Sequence, residues 1–599
     1  MVHGKRKAFF FMLPYWKHLL LRHNLDVMHI EKNVWENIFG TLLGQGRKSK
    51  DNYKARLDLQ NMGIKKQLHP KKRLVTNTTY LPRACYQMTR PEKDAFLKTL
   101  KLIKPPDEFS SNISRCVQLK EKKLIGLKTY DCHMLMQEYM PIALRGTLPD
   151  NVALVIIELC DFFKGICCKD LSEPDLQFLE MRVTTTFCKL EKISPPSFFT
   201  IMVHLVIHLI EEIRLGGPLT FRWMYSIERE LLTLKSYVHN RACPEGSIAE
   251  GYLAMESLTF VSRYLSGVET VFTRPIRNYD EGEQNEIEEI NLLCPGRPLQ
   301  QKNQSNVSFQ KRKRVNHQVL DEKLMIQGHR YVLFNVESII PFREEHKSIV
   351  KSRHRSRRPS EYELEKLHCQ QFSEWFQKRV SRLVEEGDAR VSEEIKWLAL
   401  GPHTSVKKYS GYFVKGYRFH TKEHERFLKT QNSGVVVTVK GECFASPRDK
   451  RPIFGVINYY GSLNDIIELN YSGKLRVVLF KCDWVDVNRG VKKDDMGATL
   501  VNFSYLTHTG ANLLDDPFVL ASQVHKVFYA KDSKSKDWLV VRHVKVRDMF
   551  ELGDNADQRN TSNDVIFDVP NLHRVGDDED DELDVTLPME EEASDEEDE

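Results

Sequence analysis

The sequence contains no Cys-x-x-Cys pair, although twelve cysteines are scattered along its 599 residues. This absence argues against a zinc ribbon and against a disulfide scaffold, and it suits a reducing compartment. No apolar run reaches about 18 residues, so we expect no membrane-spanning helix and no membrane partner. The apolar run Ala8–Leu13 follows basic residues, but no small-residue cleavage site comes after it, which argues against a secretory signal.

Positive charge is absent from the C-terminal end of the chain. Asp577–Glu599 contains 15 Asp and Glu residues and no Lys or Arg. The net charge of the whole chain is +5, but without this segment 88 Lys and Arg face 68 Asp and Glu, which gives +20. A basic body indicates contact with a polyanion, most often nucleic acid. The acidic segment is typical of a solvated, disordered tail and is a candidate competitor for the same basic surface.

The hydrophobic pattern changes along the chain and predicts an α+β multidomain protein. Apolar residues spaced at three and four predict a mainly helical region over residues 1–267. Polar and basic composition predicts a linker over 268–358, and an amphipathic pattern predicts a helical connector over 359–430. Short β-branched segments predict a β-rich domain with a small barrel-like fold over 431–553. A disordered acidic tail over 554–599 completes the division.

Some element boundaries are also predicted from local signals. Asp150 and Ser197 are placed as N-caps of two densely apolar helices, "DNVALVIIELCDFFKGIC" and "SFFTIMVHLVIHLIEEIRL". After residue 434, "IFGVINYY" and "DIIELNY" are predicted as two separate strands of the β-rich domain.

The segment "HNLDVMHIEKNVWENI" places Asp26 and His29 one turn apart on the polar stripe of a predicted helix. Residues at i and i+3 are neighbours, so both side chains are able to face one ligand. The pair is therefore either half of a tetrahedral zinc site or part of a capped helix end. A second pair, His204 and His208 in "MVHLVIHLIEE", has the i, i+4 spacing that supplies the other half. Histidines in an apolar helix are nevertheless more often satisfied core residues.

Glu228 lies close to the start of another predicted helix, in "MYSIERELLTLKSY". A glutamate in this position is usually a partner of the helix dipole or of a neighbouring cation such as Arg229 or Lys235. A catalytic carboxylate is the less common alternative, and Glu230 is the neighbouring candidate.

Two basic runs, "KRKR" and "KSRHRSRR", are typical of nuclear import signals or phosphate contacts. A solvated run of linker charges explains them equally well. Neither run contains interleaved aromatic residues, so base stacking is not indicated, and phosphate contacts carry no target sequence. The candidate nucleic-acid-binding residues are Lys311, Arg312, Lys313, Arg314, Arg353, Arg355, Arg357 and Arg358.

Long motifs cover nearly the whole chain apart from the polar linker and the acidic tail. The helical part contains "LPYWKHLLLRHNLDVMHIEKNVWENIFGTLL", "YDCHMLMQ", "ALRGTLP" and "YSIERELLTLKSYVHNRACPEGSIAEGYLAMES". The β-rich part contains "YYGSLNDIIELNY", "VVLFKCDW" and "LVNFSYLTHTG". These motifs resemble plant CACTA (En/Spm-type) transposases, including the β domain of unknown function at the C-terminus of the same proteins.

The resemblance implies a DDE/D transposase with an RNase H-like core interrupted by a helical insertion. In such enzymes three carboxylates hold two Mg²⁺ ions for DNA strand cleavage and transfer. The resemblance also implies a structural zinc site formed by Asp26 and His29 with His204 and His208. It assigns Glu228, twenty residues after His208, as the third catalytic carboxylate. Because aspartate is a weaker zinc ligand than thiolate, Asp26 is alternatively a residue that braces His29.

The sequence departs from the family by an omission. The first two catalytic aspartates are expected before Asp26, but Met1–Leu25 contains no Asp or Glu. One carboxylate does not hold a pair of metal ions. We therefore expect a nuclear, DNA-binding C-terminal portion of a transposase that is not an enzyme in isolation. The alternatives are a domesticated nuclear protein-interaction factor and a transposase subunit completed in trans by another subunit.

Overall fold

The computed structural model describes residues 12–45, 48–72, 79–265, 296–299, 317–353, 361–443 and 453–545. These residues confirm the predicted α+β class, with helices predominating in the first 400 residues and a multi-strand antiparallel sheet after them. Much of the predicted linker and the whole predicted acidic tail lie outside the described residues. All described residues belong to one compact unit.

The described α-helices are numbered in chain order. They are α1 (Val27–Leu43), α2 (Tyr53–Asn61), α3 (Arg90–Leu102), α4 (Thr129–Met134), α5 (Met140–Ala143), α6 (Asp150–Ile166), α7 (Glu173–Ile193), α8 (Ile201–Gly216), α9 (Tyr225–Ser236), α10 (Pro244–Ser262), α11 (Glu322–Asn335), α12 (Ile340–Arg353), α13 (Glu361–Glu385), α14 (Glu393–Leu400) and α15 (Lys422–Glu425). Within the described part of the chain, no helix is both long and apolar enough to cross a membrane.

The described strands are numbered in the same way. They are β1 (Lys71–Lys72), β2 (Thr79–Tyr80), β3 (Val117–Gln118), β4 (Lys123–Leu124), β5 (Arg297–Pro298), β6 (His317–Val319), β7 (Ser405–Tyr409), β8 (Gly411–Val414), β9 (Tyr417–His420), β10 (Gly434–Cys443), β11 (Ile453–Tyr471), β12 (Leu475–Val485), β13 (Val491–Lys493), β14 (Thr499–Val501), β15 (Leu506–Thr507), β16 (Phe518–Leu520), β17 (His525–Lys531) and β18 (Leu539–His543).

Helix α1 begins at a capped end. The Asp26 carboxylate accepts a hydrogen bond from the backbone N–H of Met28, at 3.1 Å, and so satisfies one of the amides that a helix start leaves unpaired. The helix ends at Gly44, which adopts φ = 60°, a conformation that costs glycine little. Between these ends most side chains are buried, so α1 is a central helix of the helical part.

Helices α1 and α8 pack against each other in antiparallel directions. At one end the backbone N–H of Leu25 donates to the Glu212 carboxylate, with distances of 3.1 and 3.3 Å to its two oxygens. At the other end Asn37 Nδ2 donates to Thr200 Oγ1 at 3.2 Å. Because the two contacts are equally spaced along both chains, His29 lies at about the same height as His208 on the neighbouring helix.

A π-helical turn interrupts the helix that starts with α4. The chain runs from α4 through a π turn at Leu135–Tyr139 into α5. A π turn widens the backbone by one residue and often occurs at functional sites. Every residue of this turn is buried, and α6 packs directly against it. The turn therefore presents its side chains to the interior of the helical part.

The sheet of the β-rich part is open. Its main path has the order β13-β14-β18-β17-β10-β11-β12-β15, with β16 beside β12 and β7 beside β11. The predicted barrel-like fold is corrected, because the described strands form no closed barrel. The long strand β11 joins two halves of this open sheet: its residues 453–462 pair with β10 and its residues 461–471 pair with β12, with a register shift between Leu463 and Asp465.

A layer of helices covers one face of this sheet. Phe372 and Phe376 of α13 are fully buried in a core that also contains Val332 of α11, Ile467 of β11 and Leu479 of β12. The amphipathic helix predicted after residue 359 is therefore present. Helices α11 and α12 fall inside the segment predicted as a linker, and their apolar faces explain why they pack here despite a polar average composition. The predicted domain boundaries themselves stay a prediction.

The helical and β-rich parts share a core. Phe528 and Val540 of the sheet belong to the same buried cluster as the side chains of α1, α5 and α6. The rings of Phe109 and Phe528 lie 5.4 Å apart. The two parts are consequently in direct apolar contact.

Candidate functional site

Asp26 and His29 lie together at the start of α1. The Nδ1–H of His29 donates to Asp26 Oδ2, and Asp26 also caps the helix through Met28. The His29 side chain is 52% exposed and that of Asp26 is 20% exposed. The capped-end interpretation of this pair is therefore realised in the structure, together with the contact expected if Asp26 braces His29.

His204 and His208 lie together on α8. Their Nε2 atoms are 3.1 Å apart and the rings meet edge to face with centroids 4.9 Å apart. Both residues are exposed, although the helix buries Val203, Val206 and Leu209 on its other side. The alternative that they are satisfied core histidines does not describe their position. They form a solvent-facing pair with the spacing that suits a shared ligand.

The Asp26–His29 and His204–His208 pairs lie at similar positions along the packed helices α1 and α8, but their ligand atoms do not converge on one point. Among the residues that the structure describes, no three ligand atoms of Asp26, His29, His204 and His208 lie within 4.8 Å of one another. Their donor types suit zinc, but their described positions do not form a four-ligand site. That these residues share one ion stays a prediction.

Glu228 occupies the first turn of α9 and is half-buried. It does not belong to any group of three His, Cys, Asp or Glu ligand atoms within 4.8 Å in the described ranges. The assignment of Glu228 as a catalytic carboxylate stays a prediction. Glu230, the neighbouring candidate, is exposed.

Hydrogen bonds connect the segment just before α9 with the start of α1 and with the end of α8. Asn24 Nδ2 donates to the backbone oxygen of Arg222 at 2.9 Å. Arg222 Nη1 in turn donates to Glu212 Oε2 at 3.1 Å, and Glu212 is the residue that holds Leu25. One end of the α1–α8 pair thus brings Asp26, His29 and the first turn of α9 to one region of the molecule.

A buried group of polar side chains lies behind this region, and sequence reasoning assigned it no chemistry. The Nδ1–H of His133 on α4 donates to Glu31 Oε2 of α1 at 2.7 Å. Gln137, in the π turn, donates from Nε2 to Glu31 Oε1 at 2.9 Å. The residues are 1%, 8% and 6% exposed for Glu31, His133 and Gln137. The available signal was the i, i+4 spacing of His133 and Gln137 in "YDCHMLMQ".

Cys167 completes the group from the end of α6. One ligand atom each from Glu31, His133 and Cys167 lies within 4.8 Å of the other two. Among the residues that the structure describes, these three therefore form a cluster of the residue types that bind metal ions. Burial raises the pKa of the Cys167 thiol well above its ordinary value, and the nearby Glu31 carboxylate adds to the effect. The unliganded thiol is therefore protonated at neutral pH.

Aromatic side chains close the group on one side. The ring of Trp223 meets that of His133 edge to face, with centroids 5.7 Å apart, and Tyr225 lies 6.0 Å from the same ring. Both aromatic residues closely precede Glu228 in the chain. The segment that leads into α9 therefore covers one side of the buried group.

The predicted basic residues are only partly described. Arg353 ends α12 and is exposed, as are the two preceding residues, Lys351 and Ser352. The remaining seven lie outside the described residues: Lys311, Arg312, Lys313, Arg314, Arg355, Arg357 and Arg358. Their role in binding nucleic acid stays a prediction.

Two protein-family models match parts of the chain. One is described as "Domain of unknown function (DUF4218)" and matches residues 166–279, and the other as "Domain of unknown function (DUF4216)" and matches residues 467–541. The first match includes Cys167, the histidine pair of α8 and Glu228, and the second includes most of the sheet after β11. Domains of both families are common in plant transposase-like proteins. Neither the curated proteins nor the solved structures contain a match to this chain.

Proposed function

We propose that this chain is a transposon-derived nuclear protein of the CACTA type that binds DNA without a strong sequence preference. The observation that carries the proposal is the meeting of α1, α8 and α9 at one end of the helical part. There the chain brings the Asp26–His29 pair and the first turn of α9, with Glu228, to one region from positions about two hundred residues apart. The two family matches support the same origin.

In this proposal α1, α8 and α9 belong to the RNase H-like part, and Glu228 is its third catalytic carboxylate. The exposed pairs Asp26–His29 and His204–His208 form a structural zinc site when an ion draws the two helices' side chains together. Glu228 alone does not hold two Mg²⁺ ions, so the protein binds DNA but does not cut it. Its partners are DNA and other transposase subunits.

DNA binding is tested by fluorescence anisotropy with a labelled duplex of mixed sequence. The excess positive charge outside the acidic segment predicts that affinity falls about tenfold or more between 50 and 200 mM salt, because bound counterions are released. Deletion of Asp577–Glu599 is expected to tighten binding. An affinity that does not change with salt contradicts the electrostatic basis of the proposal, and equal affinity with and without the acidic segment shows that this segment does not compete.

Strand cleavage is tested with supercoiled DNA and Mg²⁺ or Mn²⁺. We expect neither nicking nor joining by the parent chain, by Glu228→Gln or by the matched control Glu230→Gln. Folding is expected to be intact, since a glutamate in the first turn contributes at most about 1 kcal/mol through the helix dipole. Metal-dependent cleavage that Glu228→Gln abolishes and Glu230→Gln retains would favour the alternative of a subunit completed by further carboxylates.

A further inference from the structure

The buried group of Glu31, His133, Gln137 and Cys167 is assembled from separate elements. Glu31 comes from α1, His133 from α4, Gln137 from the π turn and Cys167 from the end of α6. The Nε2 atom of Gln137 lies at its centre, at 2.9 Å from Glu31 Oε1, 3.2 Å from His133 Nδ1 and 3.4 Å from Cys167 Sγ. The side chains thus surround a single point.

The group has more lone pairs than protons. The amide of Gln137 carries two N–H donors, but its nitrogen is within hydrogen-bond distance of four acceptors, the fourth being the backbone oxygen of Phe163 at 3.3 Å. The Nδ1 of His133 cannot accept from this amide while it donates to Glu31. At least two of the four contacts are therefore without a hydrogen, whereas a cation held between these donor atoms satisfies several acceptors at once.

Glu31 also needs a counter-charge. Its side chain is 2% exposed, and among the described residues its ion-pair partner is His133 alone. The neighbouring cations are directed elsewhere: Lys164 pairs with Glu138 at 2.7 Å, and Lys545 faces the Sγ of Cys168. A buried carboxylate without a Lys or Arg partner is costly unless it binds a metal ion or shares a proton.

The hydroxyl of Tyr225 points to the same conclusion independently. Tyr225 is 5% exposed, and within the described part of the chain its hydroxyl has no hydrogen-bond partner. The Tyr225 ring meets that of His133 with centroids 6.0 Å apart, so this residue lies beside the group. A buried polar group of this kind is expected to interact with a ligand of the group or with what the group binds.

We propose that Glu31, His133 and Cys167 bind a divalent cation of the zinc class, with the amide oxygen of Gln137 as the fourth donor. Carboxylate, imidazole and thiolate are the donors that zinc uses, and the thiolate disfavours Mg²⁺ and Ca²⁺. Oxygen and nitrogen of a glutamine amide exchange places by a half-turn of the side chain, which puts the oxygen where Nε2 now lies.

Binding requires two proton movements. The Cys167 thiol releases its proton to solvent and becomes a thiolate, and the proton on Nδ1 of His133 leaves that nitrogen so that its lone pair faces the ion. The ring takes up a proton from solvent on Nε2 at the same time, so His133 binds the ion as the other neutral tautomer. The Tyr225 hydroxyl then donates to a bound carboxylate or thiolate, which holds the ligand in orientation.

The site would connect α1, α4 and the α6–α7 junction at the centre of the helical part. It lies behind the exposed Asp26–His29 pair and uses none of the residues proposed for the outer zinc site. The inference therefore goes beyond the proposed function, and DNA binding stands or falls separately from it.

The test is a titration of the full-length, metal-free protein with Co²⁺, followed by displacement with Zn²⁺. Cobalt bound to a thiolate gives a charge-transfer band in the near ultraviolet, and a four-ligand site gives intense visible bands. We expect both for the parent chain, loss of the charge-transfer band and of one equivalent of metal in Cys167→Ser, and loss of the same equivalent in His133→Asn. The matched control Cys168→Ser changes the adjacent thiol, and its band is expected to persist.

The variant His204→Asn/His208→Asn separates this site from the outer pairs. It is expected to retain the thiolate band whether or not the outer pairs bind metal. Absence of the band in the parent chain overturns the proposal regardless of how the variants fold, and so does a band that persists in Cys167→Ser. If Cys167→Ser fails to fold, loss of the band in a folded His133→Asn supports the proposal and its persistence there overturns it.

Discussion

Arg145 and Asp532 form a buried ion pair between the helical and the β-rich parts. Arg145 Nε donates to Asp532 Oδ1 at 2.8 Å, and the two side chains are 2% and 1% exposed. Arg145 Nη1 also contacts Asp494. One guanidinium thus holds two loops of the sheet region against the segment after α5, and its pKa is raised by these carboxylates against the opposing effect of burial.

Replacement of Arg145 by Met is therefore expected to lower the free energy of unfolding by about 3–5 kcal/mol. The variant leaves the buried Asp532 carboxylate without its cation, which costs more than the pair itself contributes. Urea denaturation followed by circular dichroism measures the change. The control is Lys534→Met, which removes an exposed ion pair with Asp150 and is expected to cost less than about 1 kcal/mol. Equal effects of the two substitutions would contradict the role assigned to Arg145.

Because Lys526 is buried, we expect the free energy of unfolding to rise at alkaline pH. The residue is 2% exposed, its Nζ donates to Asn432 Oδ1 at 2.6 Å, and burial lowers its pKa to about 7. Between this value and the unfolded value of 10.5, the unfolded chain binds more protons than the folded chain, so the free energy of unfolding increases with pH. The contribution between pH 7 and 9 is on the order of 2 kcal/mol.

Urea midpoints at pH 7, 8 and 9 test this dependence. Lys526→Met is expected to flatten the rise relative to the parent chain. Lys531→Met, at the exposed end of the same strand, is expected to leave it unchanged. If the Lys526→Met curve is parallel to that of the parent, the rise belongs to other groups.

The sequence predicts the elements better than it predicts their contacts. Asp26 is the N-cap of α1, in agreement with the capped-end alternative. The other two predicted N-caps are wrong: Asp150 is the first residue of α6, and α8 begins after Thr200 instead of Ser197. The Ser197 hydroxyl donates instead to the backbone oxygen of Lys50 at 2.5 Å. A capping signal identifies a residue type, whereas tertiary partners decide which of several such residues takes the position.

The strands show the same limit. "IFGVINYY" and "DIIELNY" form the single strand β11, because the intervening "GSLN" accommodates a register shift instead of a turn. The buried polar group was missed for a related reason. Glu31 and His133 are 102 positions apart, so no short motif contains both, and only the packing of α1 against α4 brings them together.

Because His346 and His368 are buried together, we expect the free energy of unfolding to fall at acid pH. Their Nδ1 atoms are 2.7 Å apart inside the core of α12 and α13, where burial lowers the pKa of His368 to about 3 and also lowers that of His346. The nearby cations Arg343 and Lys347 act in the same direction on His368. Below pH 6.5 the unfolded chain takes up protons that the folded chain does not, so stability falls as the pH falls toward 3.

Between pH 7 and pH 5, His368 alone is expected to contribute a loss on the order of 2 kcal/mol. The double variant His346→Leu/His368→Leu keeps the site apolar and is expected to reduce this loss. Urea midpoints at the two pH values measure it, and His403→Leu, outside this pair, serves as the control. A pH dependence unchanged in the double variant would show that the two histidines bind as many protons in the folded as in the unfolded chain, which contradicts their lowered pKa values.

At Gly434 the strands β10 and β17 approach each other so closely that no side chain fits between them. A Cβ at this position would lie 2.2 Å from the backbone oxygen of Val527, a contact that only a shift of the strands relieves. Gly434→Ala is therefore expected to lower the free energy of unfolding by about 1–3 kcal/mol or more, as overpacking does in buried sites.

The matched control is Gly246→Ala in α10, where a Cβ meets no atom within 4 Å. This substitution is expected to raise stability by about 0.5–1 kcal/mol, because alanine loses less conformational freedom in a helix. Urea midpoints of the two variants should move in opposite directions, and a shift of the same sign would show that β17 moves away from β10 at little cost.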